Sequence, residues 1–187
     1  MADRIDILTP RSIWAADFAA LKASILAAIP PPLALHHIGS TAVPGLCAKD
    51  VIDIQITVAD LSAFDDAAMR RHGFMPRPAL LDHDPPGRAL PEAERAKRFY
   101  RGPGRAANIH VRATGRFNQR YALLCRDFLR SHPDAASAYG AVKQQLAARF
   151  ATDVDAYYDI KDPVCDIIMA GAEEWAARIG WTLPPSD

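Results

Sequence analysis

The chain has 187 residues, half of them apolar, which suffices for one domain with a buried core. Basic and acidic residues number 22 each, so the overall charge gives no reason to expect binding to nucleic acid or to an acidic membrane. The three cysteines lie far apart without a CxxC pair, which favours small buried thiols over a disulfide or zinc site and predicts a reduced, cytoplasmic protein. No window approaches the ~20 apolar residues of a membrane span.

Positive charge is concentrated in the middle of the chain. Between Arg88 and Arg130 there are 11 basic residues and three acidic ones. A small anionic ligand would explain this excess, and so would solvated arginines on helix and loop surfaces. The sequence leaves both explanations open.

The first third of the chain alternates predicted strands with a helix. Ile5–Leu8 is predicted as a short strand, and Thr9 as the N-cap of a helix with Pro10 at its first position. Apolar residues then recur at helical spacing up to Ile29. A second strand is predicted for residues 33–38, ending at the flexible Gly39-Ser40 pair.

The stretch from Val51 to Val58 alternates between polar and apolar residues. Asp53 and Gln55 fall on one face of a strand, while the isoleucines between them fall on the other, because strand side chains repeat every two residues. The pattern predicts a half-buried strand that presents polar groups outward. Asp60 is then predicted to cap a helix over residues 61–72 that ends at Gly73.

The centre of the chain predicts short strands around a loop. Residues 74–80 are predicted as a strand, and the proline-rich stretch 82–94 as a mobile loop whose Asp-His-Asp triplet is a solvated turn. Residues 98–101 and 108–113 are predicted as a hairpin. In its second strand Asn108, His110 and Arg112 share one face, so His110 is expected to point where Asp53 points.

From Phe117 onward the hydrophobic spacing becomes helical, and three helices are predicted over residues 117–132, 134–151 and 155–179. No linker divides the chain. The prediction is therefore a single α+β domain over residues 1–187, with a small mixed sheet flanked by helices and a helical C-terminal part over residues 116–187.

Several short motifs, in order along nearly the whole chain, resemble a known family. They are His37-Ile38-Gly39-Ser40-Thr41, Val43-Pro44-Gly45-Leu46, Ala48-Lys49, Ile52-Asp53-Ile54, Asn108-Ile109-His110-Val111, Arg126-Asp127-Phe128-Leu129-Arg130, His132-Pro133, Tyr139, Lys143, Tyr158 and Lys161. They resemble the signature of the GrpB family, which belongs to the nucleotidyltransferase superfamily of the polymerase-β type. The resemblance implies a nucleotidyltransferase-like fold and a site more firmly than it implies a reaction.

The resemblance also implies roles for particular residues. In the superfamily a Gly-Ser pair holds nucleotide phosphates, which assigns that role to Gly39 and Ser40. Asp53 stands where the superfamily has the first carboxylate of an Asp-x-Asp or Asp-x-Glu pair that binds Mg²⁺. Gln55 takes the place of the second carboxylate, and a neutral amide is a weak metal ligand. Mg²⁺ is thus the implied cofactor, with Asp53 and Gln55 as the candidate ligands.

His110 replaces the third carboxylate of active superfamily members and is expected to be catalytic with Asp53. A histidine there can serve as a general base, as a metal ligand or as a hydrogen-bond donor to a phosphate. Other residues that the resemblance places near a phosphate are His37, Thr41, Lys49, Arg112, Arg126 and Lys161.

Two functions follow as hypotheses. The first is binding of a nucleotide or other phosphorylated small molecule, with metal-dependent nucleotidyl or phosphoryl transfer to an acceptor. The second is a non-catalytic ligand-binding or protein-interaction module that keeps a degenerate pocket, since GrpB-like domains are also found fused to dephospho-CoA kinase. Neither hypothesis requires specific nucleic-acid binding or a membrane, and the sequence fixes no oligomeric state.

Overall fold

The structure is a computed structural model that describes residues 4–78 and 81–187. Within these ranges lie five strands: β1 (Ala34–Ile38), β2 (Ile52–Val58), β3 (Met75–Pro76), β4 (Arg98–Arg101) and β5 (Ala107–Ala113). The α-helices of the same ranges are α1 (Ile13–Ala28), α2 (Asp66–Arg71), α3 (Glu92–Arg95), α4 (Phe117–Ser131), α5 (Pro133–Arg149) and α6 (Val154–Ile179). A one-turn 3₁₀ helix, Ser40–Ala42, follows β1.

The strands form one mixed sheet in the order β1-β2-β5-β4-β3. β2 and β5 run parallel, and the other pairs are antiparallel. The register places Asp53 between Ile38 and Asn108, and Gln55 beside His110. Since directly paired residues share a face, the polar side chains of β2 and β5 meet on one side of the sheet. The α+β fold with a small mixed sheet is confirmed.

The opposite side of the sheet, called the inner face, carries the main apolar core. Ile52, Ile54 and Ile56 of β2 are fully buried there. They pack with residues of α1 and α2, including Ile25 and Met69, in one continuous cluster. Burying each of these large aliphatic side chains stabilises the fold by roughly 1.5–3 kcal/mol.

The polar side, called the outer face, is covered rather than solvated. Gln55 is completely buried and Thr57 is 3% exposed. The expectation of a half-buried strand was therefore wrong, because α4 and the loop before β4 pack over this face and bond to Gln55 and Arg112. Thr57 Oγ1 is buried there without a hydrogen-bond partner among the described residues. Asp53 and His110 stay partly exposed at its edge.

The central loop is anchored to the rest of the fold, contrary to the predicted mobile loop. Asp82 is buried in an ion pair with Arg112, so the predicted solvated turn was also wrong at this residue. The neighbouring His83 lies 2.9 Å from an Asp166 oxygen on α6. The short helix α3 interrupts the remainder of the loop.

Several predicted boundaries shift. Helix α1 begins at Ile13 with Ser12 as N-cap, so the expected start at Thr9 was wrong. Helix α2 is capped by Asp65, whose side chain accepts from the Ala68 N–H, while Asp60 instead binds Ser62. The predicted strand over 5–8 is reduced to one bridge between Leu8 and Ala48.

The predicted strand over residues 74–80 is β3, which spans two residues; positions 79 and 80 lie outside the described residues. The hairpin of β4 and β5 and the three C-terminal helices are confirmed. In the described ranges, no helix combines the length and apolarity that crossing a bilayer requires.

Candidate functional site

The turn between β1 and the 3₁₀ helix lies directly against Asp53. Gly39 has φ +69°, and a Cβ atom on it would lie 2.5 Å from Asp53 Oδ2. Only glycine permits this backbone path and this close approach. The turn therefore brings Gly39 and Ser40 beside the carboxylate, as the resemblance implies.

Asp53 is tied to the neighbouring strand. Asn108 Nδ2 donates to Asp53 Oδ1 at 2.7 Å, and Arg101 of β4 donates to the other end of the Asn108 amide. Burial raises the pKa of Asp53, while the Asn108 bond and the positive charges of Lys161, Arg101 and Arg112 oppose that rise. The side chain remains 27% exposed, which leaves the carboxylate accessible to a small ligand.

His110 lies next to Asp53 with its Nε2 atom 4.0 Å from Oδ1. Its ring packs 4.9 Å from that of Phe99, and Nδ1 is buried without a hydrogen-bond partner among the described residues. Burial lowers the pKa of His110 well below its ordinary value, and Arg112 and Lys97 lower it further. The imidazole is thus neutral at pH 7 and can accept a hydrogen bond.

Lys143 of α5 reaches the same turn from the helical layer. Its Nζ donates to Ser40 Oγ at 2.8 Å and also to the Cys47 carbonyl. The residue is 2% exposed and has no carboxylate within ion-pair distance in the described part of the chain. Burial lowers the pKa of Lys143 to about 8. A buried lysine with no counter-ion is energetically unfavourable unless an anion joins it.

Two further lysines lie near Tyr158 of α6. Lys161 of α6 is close enough to Asp53 and Lys143 to influence the pKa of each, and its Nζ lies 2.8 Å from an Asp162 oxygen. Lys49 stacks over the ring of Tyr158 at 4.7 Å and donates to its hydroxyl. Ser40, Asp53, His110, Lys143 and Lys161 are thus neighbours, and we give this cluster of side chains the name outer-face cleft.

Gln55 and Arg112 are engaged with other protein groups. Gln55 donates to the Gln119 carbonyl at 3.0 Å, and its oxygen accepts from Arg112 at 2.6 Å. Arg112 also binds both oxygens of Asp82. Protein groups thus hold both side chains in place.

The structure does not bring His37, Thr41 and Arg126 to the cleft. His37 shares the inner face with Ile54, stacks on Phe18 at 4.7 Å and bonds to Thr41 at 2.9 Å. Burial lowers the pKa of His37 to about 4, so it is neutral. Arg126 has a 1% exposed side chain that binds Asp127, Asp187 and the His37 carbonyl, which are structural partners.

The described residues contain no group of three or more His, Cys, Asp or Glu side chains arranged to hold a metal ion. Asp53 is the carboxylate of the cleft on β2, and the Gln55 oxygen is taken by Arg112. The protein side chains alone therefore do not fit the two-metal set of the superfamily.

Sequence reasoning missed Lys143, Asn108 and Arg101 as site residues. A signal for Lys143 was present, since it falls on the same helical face as Tyr139, Leu146 and Ala147, all of which are buried. A lysine in a buried helical stripe indicates a polar partner elsewhere in the fold. That partner, Ser40, lies 103 residues away and only the tertiary structure reveals it.

The mixed sheet with a helical layer over its polar face, and the polar and charged side chains between them, define an α+β protein with a buried polar site. The model of the GrpB protein family matches residues 4–170, so the chain belongs to the GrpB family. The crystal structure of the conserved protein GrpB from Enterococcus faecalis has the same fold, with a TM-score of 0.72 and 27% identity. The match covers 91% of this chain and 99% of that one.

Curated relatives are more similar in sequence. A UPF0157 protein of Pseudomonas aeruginosa is 36% identical over 181 residues, which cover 91% of this chain and 68% of the relative. A dephospho-CoA kinase of Mycolicibacterium paratuberculosis is 38% identical over 170 residues, or 80% of this chain. The chain spans only 41% of the length of that kinase.

Proposed function

We propose that the outer-face cleft binds a nucleotide or another phosphorylated small molecule, with a phosphate held between Ser40, Lys143 and Lys161. The observation that carries the proposal is Lys143, a buried lysine without a carboxylate partner in the described structure, whose Nζ contacts a partly exposed serine hydroxyl. A phosphate would supply the missing negative charge and accept from the lysine and the hydroxyl together.

The proposal extends to nucleotidyl or phosphoryl transfer. Asp53 and neutral His110 lie beside the phosphate position, where they can orient an acceptor hydroxyl. Mg²⁺ remains part of the proposal, because this ion can be held by one or two carboxylates together with substrate phosphates. The dephospho-CoA kinase name of some relatives makes CoA compounds natural ligands to test.

A thermal-shift screen tests the binding proposal. Nucleotides, CoA species and sugar phosphates are each added with and without Mg²⁺ or Mn²⁺, and a ligand at ~100 times its Kd should stabilise by ~2.7 kcal/mol. The shift should vanish in Ser40→Ala and Lys143→Met but persist in Ser137→Ala, which removes an exposed serine of α5. A shift that persists in both cleft variants would contradict the proposal.

Asp53→Asn separates an enzyme from the alternative, a binding module. The substitution removes one negative charge beside the phosphate position and keeps the shape of the side chain. A pure binding module should keep or gain affinity for the anion, whereas a transferase should bind the ligand but lose turnover. Binding and product formation are measured on the same preparation.

A further inference from the structure

The contact between Ser40 and Lys143 has the geometry of a nucleophile and its base. The two atoms are 2.8 Å apart, and the Cys47 carbonyl accepts a second bond from Nζ and so fixes its position. A hydroxyl, a base within hydrogen-bond reach and a third group that orients the base are the recurring elements of covalent catalysis. Serine and lysine occur together in this role on unrelated folds.

The surroundings of Lys143 favour the neutral amine that a base requires. The side chain is 2% exposed, and Lys161 adds a second positive charge nearby. Burial therefore lowers the pKa of Lys143 to about 8, so that about a tenth of the amine is neutral at pH 7 and about half at pH 8. Ser40, in contrast, is partly exposed, so its hydroxyl is within reach of a substrate.

We propose that Ser40 is a nucleophile and Lys143 its general base, and that the cleft transfers a nucleotidyl group through a covalent ester on Ser40. The substrate class is a phosphate anhydride such as a nucleoside triphosphate. This inference rests on the proposed function, because the bound phosphates supply the electrophile.

The first step forms the bond between Ser40 Oγ and the α-phosphorus and breaks the phosphorus–oxygen bond to pyrophosphate. Pyrophosphate leaves with the electron pair of that bond, and the serine proton passes to Lys143 Nζ. In the second step a hydroxyl of an acceptor or of water attacks the same phosphorus and releases Ser40. Lys143 returns its proton to Ser40, and the proton of the acceptor goes to solvent.

A covalent route accounts for the reduced carboxylate set of the cleft. In the superfamily pattern, paired carboxylates hold the metal ions that align the acceptor and the triphosphate. Here Gln55 replaces one carboxylate and is bonded to Arg112 and Gln119. A serine activated by lysine is attached to the protein and already lies beside the phosphate position, so the first step needs no metal-activated hydroxyl.

A neutral fluorophosphonate probe tests the nucleophile without depending on anion binding. We expect Ser40 to be phosphonylated with loss of fluoride, detected by intact mass and located by peptide mass spectrometry. Ser40→Ala should abolish the adduct, and the exposed-serine control Ser137→Ala should leave the rate unchanged. The wild-type rate should rise with pH through about 8, where Lys143 loses its proton.

Two substitutions of Lys143 separate a base from a positive charge. In Lys143→Arg the side chain keeps its positive charge but does not lose its proton at these pH values, so it cannot act as a base. Lys143→Met removes both the charge and the base. Each should slow labelling by about 100-fold, the usual contribution of a general base. Thermal melting shows which variants are folded, and one folded variant suffices.

An unlabelled Ser40 in folded wild-type protein, or labelling of a folded Lys143→Arg variant at the wild-type rate, would overturn the proposal. The screen of phosphorylated ligands distinguishes the two hypotheses. If a phosphorylated ligand binds but Ser40 is not labelled, the proposed function stands and the nucleophilic role of Ser40 is rejected. If Ser40 is labelled but no phosphorylated ligand binds, the serine is a nucleophile and the proposed function is rejected.

Discussion

Gly39 occupies a backbone conformation that other residues adopt only with strain, with φ +69° and ψ −171°. Gly39→Ala would also bring the new methyl group within 2.5 Å of Asp53 Oδ2. We expect it to lower the free energy of unfolding by about 1–3 kcal/mol from backbone strain, to displace Asp53 and to weaken ligand binding. Urea denaturation and the thermal-shift screen measure the two effects.

Gly45→Ala is the matched control for this prediction. Gly45 also has a positive φ, +77°, but a Cβ atom there meets nothing within 4 Å. Both variants place a side chain at a positive φ, and only Gly39→Ala places it against the carboxylate. Equal losses of stability and binding in both would show that the approach of Gly39 to Asp53 is unimportant.

The buried Lys143 is expected to lower the free energy of unfolding of this protein at pH 7. Its pKa is lowered from 10.5 to about 8, so the folded state holds the proton less well than the unfolded chain. Charging this lysine therefore costs on the order of 3 kcal/mol at pH 7, and the cost disappears as the pH rises through 8 to 10.5. Burial is the main cause of the lowered pKa and Lys161 lowers it further, while Cys47, Cys165 and Asp53 oppose the shift.

Lys143→Met should consequently stabilise the protein by about 1–3 kcal/mol at pH 7, after the loss of its two hydrogen bonds, while abolishing ligand binding. The gain should shrink above pH 8. Gln144→Met, at the exposed neighbouring position, should show no such pH dependence. Urea unfolding at pH 7 and at higher pH gives the comparison, and a destabilised Lys143→Met at pH 7 would contradict the argument.

At the residue scale, alternation along the strands was enough to predict that Asp53 and His110 share a face. It could not decide between the faces of β1, where His36 and His37 point to opposite sides. His37 faces the inner core because it pairs with Ile54, and that register depends on the tertiary structure. Lys143 was missed for a related reason, since its partner is remote in sequence.

At the element scale, residues 184–187 lie along the open edge of β1. The Asp187 N–H donates to the Leu35 carbonyl, the Leu35 N–H donates to Ser186 Oγ, and the Asp187 carboxylate accepts from the His37 N–H and from Arg126. This segment gives partners to backbone groups that an edge strand otherwise exposes. It also neutralises Arg126, whose side chain is 1% exposed.

Asp187→Asn should therefore destabilise the fold by about 1–3 kcal/mol, because a charged partner of a buried arginine is lost. The control is Asp6→Asn, which removes one partner of an exposed pair with Arg4 and should change stability by less than about 0.5 kcal/mol. Chemical denaturation of both variants is the measurement. Indistinguishable midpoints would mean that the segment contributes no stability.

Element types were more predictable than their boundaries. The strands β2 and β5 and the helices α4 to α6 carry long periodic patterns, and these were predicted correctly. Helix α2 was predicted five residues early because Asp60 and Asp65 are equally good caps in sequence. The Asp60 carboxylate instead accepts hydrogen bonds from the backbone N–H and the hydroxyl of Ser62. Capping preference alone cannot tell which aspartate will form such a local turn and which will cap the helix.

At the scale of the whole molecule, a buried polar network joins the sheet to the helical layer. Asp82 of the central loop binds Arg112 of β5 and Lys97, Arg112 binds Gln55 of β2, and Gln55 binds the Gln119 carbonyl of α4. Such a network stabilises one arrangement of the layers when every member is paired. His110 of the outer-face cleft lies beside this network, between Gln55 of β2 and Phe99 of β4.

Asp82→Ala should therefore be among the most damaging single substitutions in this chain. It leaves Arg112 buried without its carboxylate, at a cost of about 3–5 kcal/mol. Although burial opposes it, pairing with Arg112 and Lys97 lowers the pKa of Asp82 to about 2. The stabilisation is complete above the ordinary value of 3.8 and is lost as the pH falls toward 2, an effect of about 2 kcal/mol. Urea unfolding should thus show that the wild type has a larger free energy of unfolding than Asp82→Ala, and that this difference becomes smaller between pH 4 and pH 2. A difference that does not change with pH would reject Asp82 as the link between sheet and loop.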